Sequence, residues 1–170
     1  MRQFVREPLR NGEPDRLLAA CVTDFERASI GVLLETGLRL AELCAITEPS
    51  VNREEKRLSV VGKGDKRRVV PLSDAAAQAL ELWLATPKPK STAALRNKVQ
   101  KVVREAGRRA WIETRVFPHR LRHTFAVACL RKGIGLRTLQ LLLGHVSIAV
   151  TQAYLNLSPD EVCEEFRVKW

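Results

Sequence analysis

The sequence predicts a mainly α-helical protein with one small antiparallel β-sheet, an α+β fold. Three observations lead there. Apolar residues recur at helical spacing over most of the chain. One stretch breaks that rhythm, where the β-branched runs Arg57-Leu58-Ser59-Val60-Val61 and Arg67-Arg68-Val69-Val70 flank Gly62-Lys63-Gly64-Asp65-Lys66, the pattern of a hairpin with a glycine-rich turn. And 170 residues suffice for one well-buried core but not for two full domains.

Taken in order, residues 1–12 read as an irregular leader ending near Asn11-Gly12. Helical spacing begins at Glu13 and continues through Leu17, Leu18 and Cys21. A second helix is expected over Thr23–Glu35, with Thr23 or Asp24 as its cap and Ile30, Val32, Leu33 and Leu34 inside; Gly37 ends it. A short third helix, Leu40–Ile46, follows, and a strand near Ser50–Asn52 is expected to join the hairpin. Helices then return over Ser73–Leu84, Ser91–Gly107, His119–Lys132, Leu136–Leu143 and about Ser147–Asn156. Thr86-Pro87-Lys88-Pro89-Lys90 is a stiff connector, too short to separate domains. Pro159–Trp170 has the spacing of an amphipathic helix, with Val162, Phe166 and Trp170 on one side.

Composition narrows the function. No apolar run approaches the roughly 18 residues that cross a bilayer, and the start carries no hydrophobic signal segment. A cytoplasmic protein with no membrane partner is the expectation. Lys and Arg number 29 against 19 acids, a net charge of +10. Such a field favours polyanions, nucleic acid above all, although charge that only keeps a protein soluble gives the same count. Cys21, Cys44, Cys129 and Cys163 lie among apolar residues without C-x-x-C spacing and read as reduced core residues rather than metal ligands.

Three motifs carry possible chemistry. Thr36-Gly37-Leu38-Arg39-Leu40-Ala41-Glu42-Leu43 places an arginine between two helices. His119-Arg120-Leu121-Arg122-His123 opens a helix just after Pro118, with His119, Arg122 and His123 on one face. Leu142-Leu143-Gly144-His145 is followed nine residues later by Tyr154. Singly, each has a plain structural reading. Arg39 serves as a helix-end arginine bonded to Glu42 or a carbonyl, H-x-x-R as a solvated stripe, His145 as a cap, and Tyr154 as a core ring with a wet hydroxyl. Jointly they are far more specific, because all three histidines and the single tyrosine of the chain fall inside them.

That set, in that order, resembles the tyrosine recombinase (phage integrase) family, from about Asp15 to Tyr154. The resemblance implies the family's catalytic-domain fold over residues 13–170, with no counterpart here of its N-terminal core-binding domain and a shortened stretch from Pro71 to Pro118. It implies a catalytic set of Arg39, Lys63, His119, Arg122, His145 and Tyr154, with Glu42 as the acidic residue near the first arginine. It further implies double-stranded DNA as partner, a homotetramer in the DNA synapse from a chain that is a monomer alone, and a 3′-phosphotyrosyl intermediate formed without metal or other cofactor. In this family the C-terminal helix often docks on a neighbouring protomer; folding back on its own core is the alternative.

The chemistry accounts for the residue types. Phosphodiester transfer needs a nucleophile, neutralised nonbridging oxygens and a proton for the leaving oxygen. A tyrosine hydroxyl is a poor nucleophile until the phosphate is neutralised. Arg39 and Arg122 offer planar donor forks for that charge, with His145 as a further donor. His119 is the candidate base for the tyrosine proton and Lys63 the candidate acid for the 5′ oxygen. Lys63 is favoured over Lys66 as the catalytic lysine on the family's Gly-Lys-Gly register; its plain reading is a solvated hairpin tip, with Lys66, Arg67 and Arg68 serving only to touch phosphate, and His123 is expected to orient neighbours or cap. Three other readings stand beside a recombinase: a type IB topoisomerase-like nicking enzyme, a DNA-binding module that no longer recombines, and a helical interaction protein with a basic surface.

Overall fold

The computed structural model describes residues 7–144 and residue 167, Lys63 by its backbone alone. The helix expected at 147–156 and, apart from residue 167, the C-terminal amphipathic helix lie outside the described residues, as do Cys163, His145 and Tyr154. Within them the chain runs through α1 (Glu13–Ala19), α2 (Asp24–Thr36), α3 (Leu40–Cys44), β1 (Val51–Asn52), β2 (Arg57–Val61), β3 (Arg67–Pro71), α4 (Asp74–Ala85), α5 (Thr92–Arg109), α6 (Pro118–Arg131) and α7 (Leu136–Leu143). The α+β expectation holds in kind and in order.

The centre is α2. Its middle, Ala28 to Leu34, is almost wholly apolar, and its residues are buried almost throughout, so it serves as the post against which α4, α5 and α6 pack. Thr23 caps it, the hydroxyl accepting from the Glu26 amide at 3.2 Å. Leu33, Leu38, Leu43, Leu80 and Leu121 are fully buried around it. Each such leucine contributes roughly 1.5–3 kcal/mol by leaving water. Glu26 is buried as well, and Arg109 Nη2 holds its carboxylate at 2.5 Å, tying the start of α2 to the end of α5.

The sheet is small and antiparallel, in the order β1-β2-β3. Leu58 pairs with Val70 and Val61 with Arg67 across the hairpin. Leu58, Val60 and Val70 face the core, while Val61 and Val69 stay exposed, the period-2 alternation of a half-buried sheet. One turn of 3-10 helix at 63–65 closes the hairpin, and the Gly62 amide donates to the Lys66 carbonyl at 2.8 Å.

Four details depart from the sequence expectation. α3 ends at Cys44 rather than Ile46, because its last amides turn inward to carbonyls three residues back, Ala45 to Glu42 and Ile46 to Leu43. α5 continues to Arg109, whose guanidinium is held from outside by the Ala20 carbonyl and Glu26. Residues 7–12 are irregular yet part of the core: Leu9 is buried, its amide donates to Thr124 Oγ1 at 2.9 Å, and Arg120 donates to the carbonyls of Glu7 and Pro8. Among the cysteines, Cys21 and Cys129 are buried as expected, with burial pushing the Cys21 thiol up to about 11, but Cys44 is only half-buried. No helix of the described residues is long and apolar enough to cross a membrane.

Candidate active site

The site begins where α2 stops. Gly37 takes a left-handed conformation, φ 63°, and its amide closes onto the Leu33 carbonyl. A side chain there would run into Phe125 and Leu143, so glycine is required for both reasons. Leu38 then anchors the chain in the core, and Arg39 emerges as the first residue of the next helical turn. Glu42, in the third position of α3, reaches back to it. Its Oε2 accepts from the Arg39 amide at 2.7 Å and its Oε1 from Arg39 Nη1 at 3.0 Å. The Arg39 side chain keeps 42% of its surface open.

Arg122 approaches from α6 and is buried, 5% exposed. Nη1 donates to the Gly37 carbonyl and Nη2 to the Leu143 carbonyl, both at 2.6 Å, with Glu42 Oε2 3.9 Å away. A third arginine arrives from the sheet. Arg68 grips Glu42 with both terminal nitrogens, at 2.6 and 2.9 Å, and sends Nε to the Leu142 carbonyl at 2.8 Å. Arg39 Nη2 takes the Gly144 carbonyl at 3.0 Å. Three arginines thus share one carboxylate and take the three successive carbonyls 142, 143 and 144 where α7 ends. Those carbonyls have no partner within their own helix, and the helix C-terminus carries partial negative charge, so cations are drawn there.

The electrostatics follow from that crowding. Burial pushes the Glu42 carboxyl up, but the hydrogen bonds and charges of Arg68 and Arg39 outweigh it, and the group sits below its ordinary value. Burial, together with the neighbouring charges of Arg39 and Arg68, brings Arg122 down to about 10 against the opposing pull of Glu42. It therefore stays charged at neutral pH, and an added anion relieves the repulsion among the three guanidinium groups.

Arg39, Arg122 and His119 line a single cavity of about 890 Å³ between α3, α5 and the 114–120 segment. His119 stands exposed in the first turn of α6, just after Pro118. His123, expected on the same face, is buried and is not one of the cavity's lining residues. Arg120 proves structural, its guanidinium spent on the carbonyls of Glu7, Pro8 and Thr114. Lys63 sits in the hairpin turn.

Two groups escaped the sequence reading. Arg68, expected to touch phosphate, is turned inward, its side chain 11% exposed and committed to Glu42. Only its place in the run Lys66-Arg67-Arg68 marked it; alternation along β3 sends Arg67 outward and Arg68 in. Arg104, on α5, lines the cavity with Gln100 and Arg115, and its Nε is buried with no partner among the described residues. Nothing in its sequence context set it apart from the other basic residues of that helix.

The model of the phage integrase family matches residues 8–161. Tyrosine recombinase XerC of Shewanella sp. (strain W3-18-1) is 35% identical over 144 residues, covering 78% of this chain and 48% of that protein. Tyrosine recombinase XerD of Shewanella oneidensis is 31% identical, covering 93% and 59%. The chain thus spans about half the length of such curated relatives. Among solved structures, the XerA recombinase superposes with TM-score 0.77 at 33% identity, over 94% of this chain and 64% of that one. XerH site-specific recombinase bound to a palindromic difH substrate shares the fold, with TM-score 0.77 at 22% identity over 94% and 52%. The chain belongs to the phage integrase family of tyrosine recombinases.

Proposed function

We propose that residues 13–170 act as the catalytic domain of a site-specific DNA recombinase that cuts and rejoins duplex DNA through Tyr154. One observation carries the reading: Arg39 and Arg122 line the same cavity as His119, with their terminal nitrogens on adjacent carbonyls. A guanidinium carries five donors, and each terminal nitrogen used here keeps a second hydrogen for a nonbridging oxygen.

In the proposed step the Tyr154 hydroxyl oxygen attacks phosphorus, giving its proton to His119. The bond from phosphorus to the 5′ oxygen breaks, Lys63 protonates that oxygen, and a 3′-phosphotyrosine and a free 5′ hydroxyl remain. Rejoining is the same exchange with a 5′ hydroxyl as nucleophile. Arg39, Arg122 and His145 balance the charge that builds on the phosphate. One ester replaces another, so the energy of the bond is kept. Four protomers on two duplexes provide the two pairs of exchanges that recombination needs.

The test is a suicide DNA substrate, nicked so that rejoining fails. Wild-type protein is expected to yield a denaturation-resistant adduct, and Tyr154→Phe to lose it while still binding DNA. An adduct that survives the substitution overturns the assignment. Relaxation of supercoiled plasmid without any site requirement favours the topoisomerase-like alternative.

A further inference from the structure

The sheet arginine has no place in the phosphate chemistry just described, yet its side chain makes more hydrogen bonds than that of Arg39 or Arg122. All three of its nitrogens are engaged: two on Glu42, one on the Leu142 carbonyl. It packs beside Gly144, where an added Cβ would stand 3.3 Å from Cδ and Nη1. It also lies close to Gly62, where the Lys63 turn begins, an added Cβ there standing 3.8 Å from Nη1. One side chain therefore touches the strand end before Lys63, the carboxylate that holds Arg39, and the helix end that leads to His145.

We propose that Arg68 is a positioning residue for phosphate transfer, setting Arg39 through Glu42 and setting the α7 end through the Leu142 carbonyl. The proposal rests on the recombinase reading above. Its physical basis is the sharing of Glu42. Arg39 has a half-open side chain and only one carboxylate oxygen on its guanidinium, at 3.0 Å. That oxygen is the one Arg68 Nη1 holds at 2.6 Å. Without Arg68, Glu42 keeps Arg39 on its own helix and Arg122 of α6 at 3.9 Å. Glu42 still accepts from the Arg39 amide at 2.7 Å, but it loses its two shortest side-chain bonds and takes a proton more easily, and the Arg39 guanidinium is left on one unbraced carboxylate oxygen and the Gly144 carbonyl. A long side chain with four flexible torsions is a poor phosphate clamp unless its partner is fixed.

The consequence is separable from binding. Arg39 and Arg122 are still present without Arg68, so affinity for duplex DNA should stay within about threefold, since Arg68 itself reaches no solvent-facing phosphate. The chemical step, which depends on the direction of Arg39, should slow by roughly 10–10²-fold in Arg68→Ala, the range for a misplaced reacting geometry. The pH profile supplies the readout that a scaffold role lacks. Three guanidinium groups face Glu42: Arg39 from α3, Arg68 from β3 and Arg122 from α6. Burial raises the carboxyl, but Arg68 and Arg39 outweigh it and hold the group below its ordinary value. Removing Arg68 removes the strongest of them, so the carboxyl rises, and Glu42 protonates earlier as pH falls. The acid limb of the cleavage rate should therefore move to higher pH in Arg68→Ala and move back in Arg68→Lys, which restores charge without the two-pronged grip.

The experiment measures single-turnover adduct formation on the suicide substrate from pH 4.5 to 8 for wild type, Arg68→Ala and Arg68→Lys, alongside the Glu42 carboxyl titration by NMR without DNA. The expected result is slowed cleavage at near-unchanged affinity, a raised acid limb and a raised Glu42 carboxyl in Arg68→Ala. Wild-type kinetics in that variant overturn the proposal, as does a rate lowered only in proportion to the folded fraction with an unmoved pH profile. An unmoved Glu42 titration overturns it whatever the rate. If the wild type itself forms no adduct, the recombinase reading fails instead, and the titration alone still tells whether Arg68 governs Glu42.

Discussion

Arg39 and Arg122 bring the same functional group to the site with different freedom. Arg122 is buried and locked between two carbonyls at 2.6 Å, so its direction is fixed before any phosphate arrives. Arg39 is half-open and takes its direction from Glu42 and the Gly144 carbonyl, both at 3.0 Å. Fixed donors lower a barrier more than mobile ones because nothing reorganises during the reaction. The candidate acid, Lys63, occupies the hairpin turn beyond Gly62. Its role is testable at the level of one atom. An alkoxide leaves slowly unless it is protonated in the transition state, so Lys63→Ala should slow cleavage by roughly 10²–10⁴-fold on ordinary DNA. Sulfur in place of the bridging 5′ oxygen leaves readily as a thiolate. On that substrate the defect should largely vanish for Lys63→Ala and persist for Arg39→Ala and Arg122→Ala. Rescue of Lys66→Ala instead would move the acid along the turn, and rescue of neither lysine would leave Lys63 as a phosphate contact.

At the scale of elements, the site is a meeting of ends. α2 stops just before Gly37, α3 starts just after Arg39, α6 starts just before His119, and α7 stops just before Gly144. Ends carry unpaired amides and carbonyls, and here arginine side chains take the carbonyls. Gly37 joins the two roles, since its left-handed turn ends α2 and its carbonyl receives Arg122. Gly37→Ala combines a positive φ with a Cβ 2.3 Å from Phe125 Cδ1 and 2.9 Å from Leu143 Cδ2. It should cost about 1–3 kcal/mol, from the backbone strain together with the clash. Urea unfolding would register this as a lower midpoint at constant slope. An unchanged midpoint would mean that the close packing of α2 against α6 and α7 is not as described.

For the molecule as a whole, the dominant quantity is charge. On the proposed reading, a net +10 on 170 residues makes phosphate neutralisation the main source of affinity for DNA. Arg104 and Arg115 beside the cavity add to the arginines of the site itself. Affinity for duplex DNA should fall steeply between about 50 and 200 mM salt, by some 10³-fold if about six phosphates are contacted. A log–log plot of affinity against salt from fluorescence anisotropy gives the number of contacts directly. Salt-independent affinity, or no binding at low salt, would favour the interaction-protein reading. This chain, spanning about half the length of its curated relatives, should by itself show little preference for sequence; tight, site-specific binding would contradict that expectation.

The sequence alone was enough for the α+β class, the order of the elements, the Gly37 break, the hairpin around Lys63 and the family. Each is local or periodic information: apolar spacing, capping residues, glycine at a turn, and rare residue types at fixed separations. It also paired Arg39 with Glu42, because residues three apart on a helix are neighbours. Only the tertiary structure decided that Arg39 and Arg122, 83 positions apart, share one cavity, and that the plain helix-end bonds of Arg39 are part of that same arrangement. It also sorted neighbours that look alike in sequence, sending Arg120 to the carbonyls of the leader, His123 into the core, and Arg68 away from solvent onto Glu42. The reason is physical. A basic residue in a sequence announces its charge, but whether that charge meets solvent, a carbonyl or a carboxylate depends on which distant helix end the packing brings beside it.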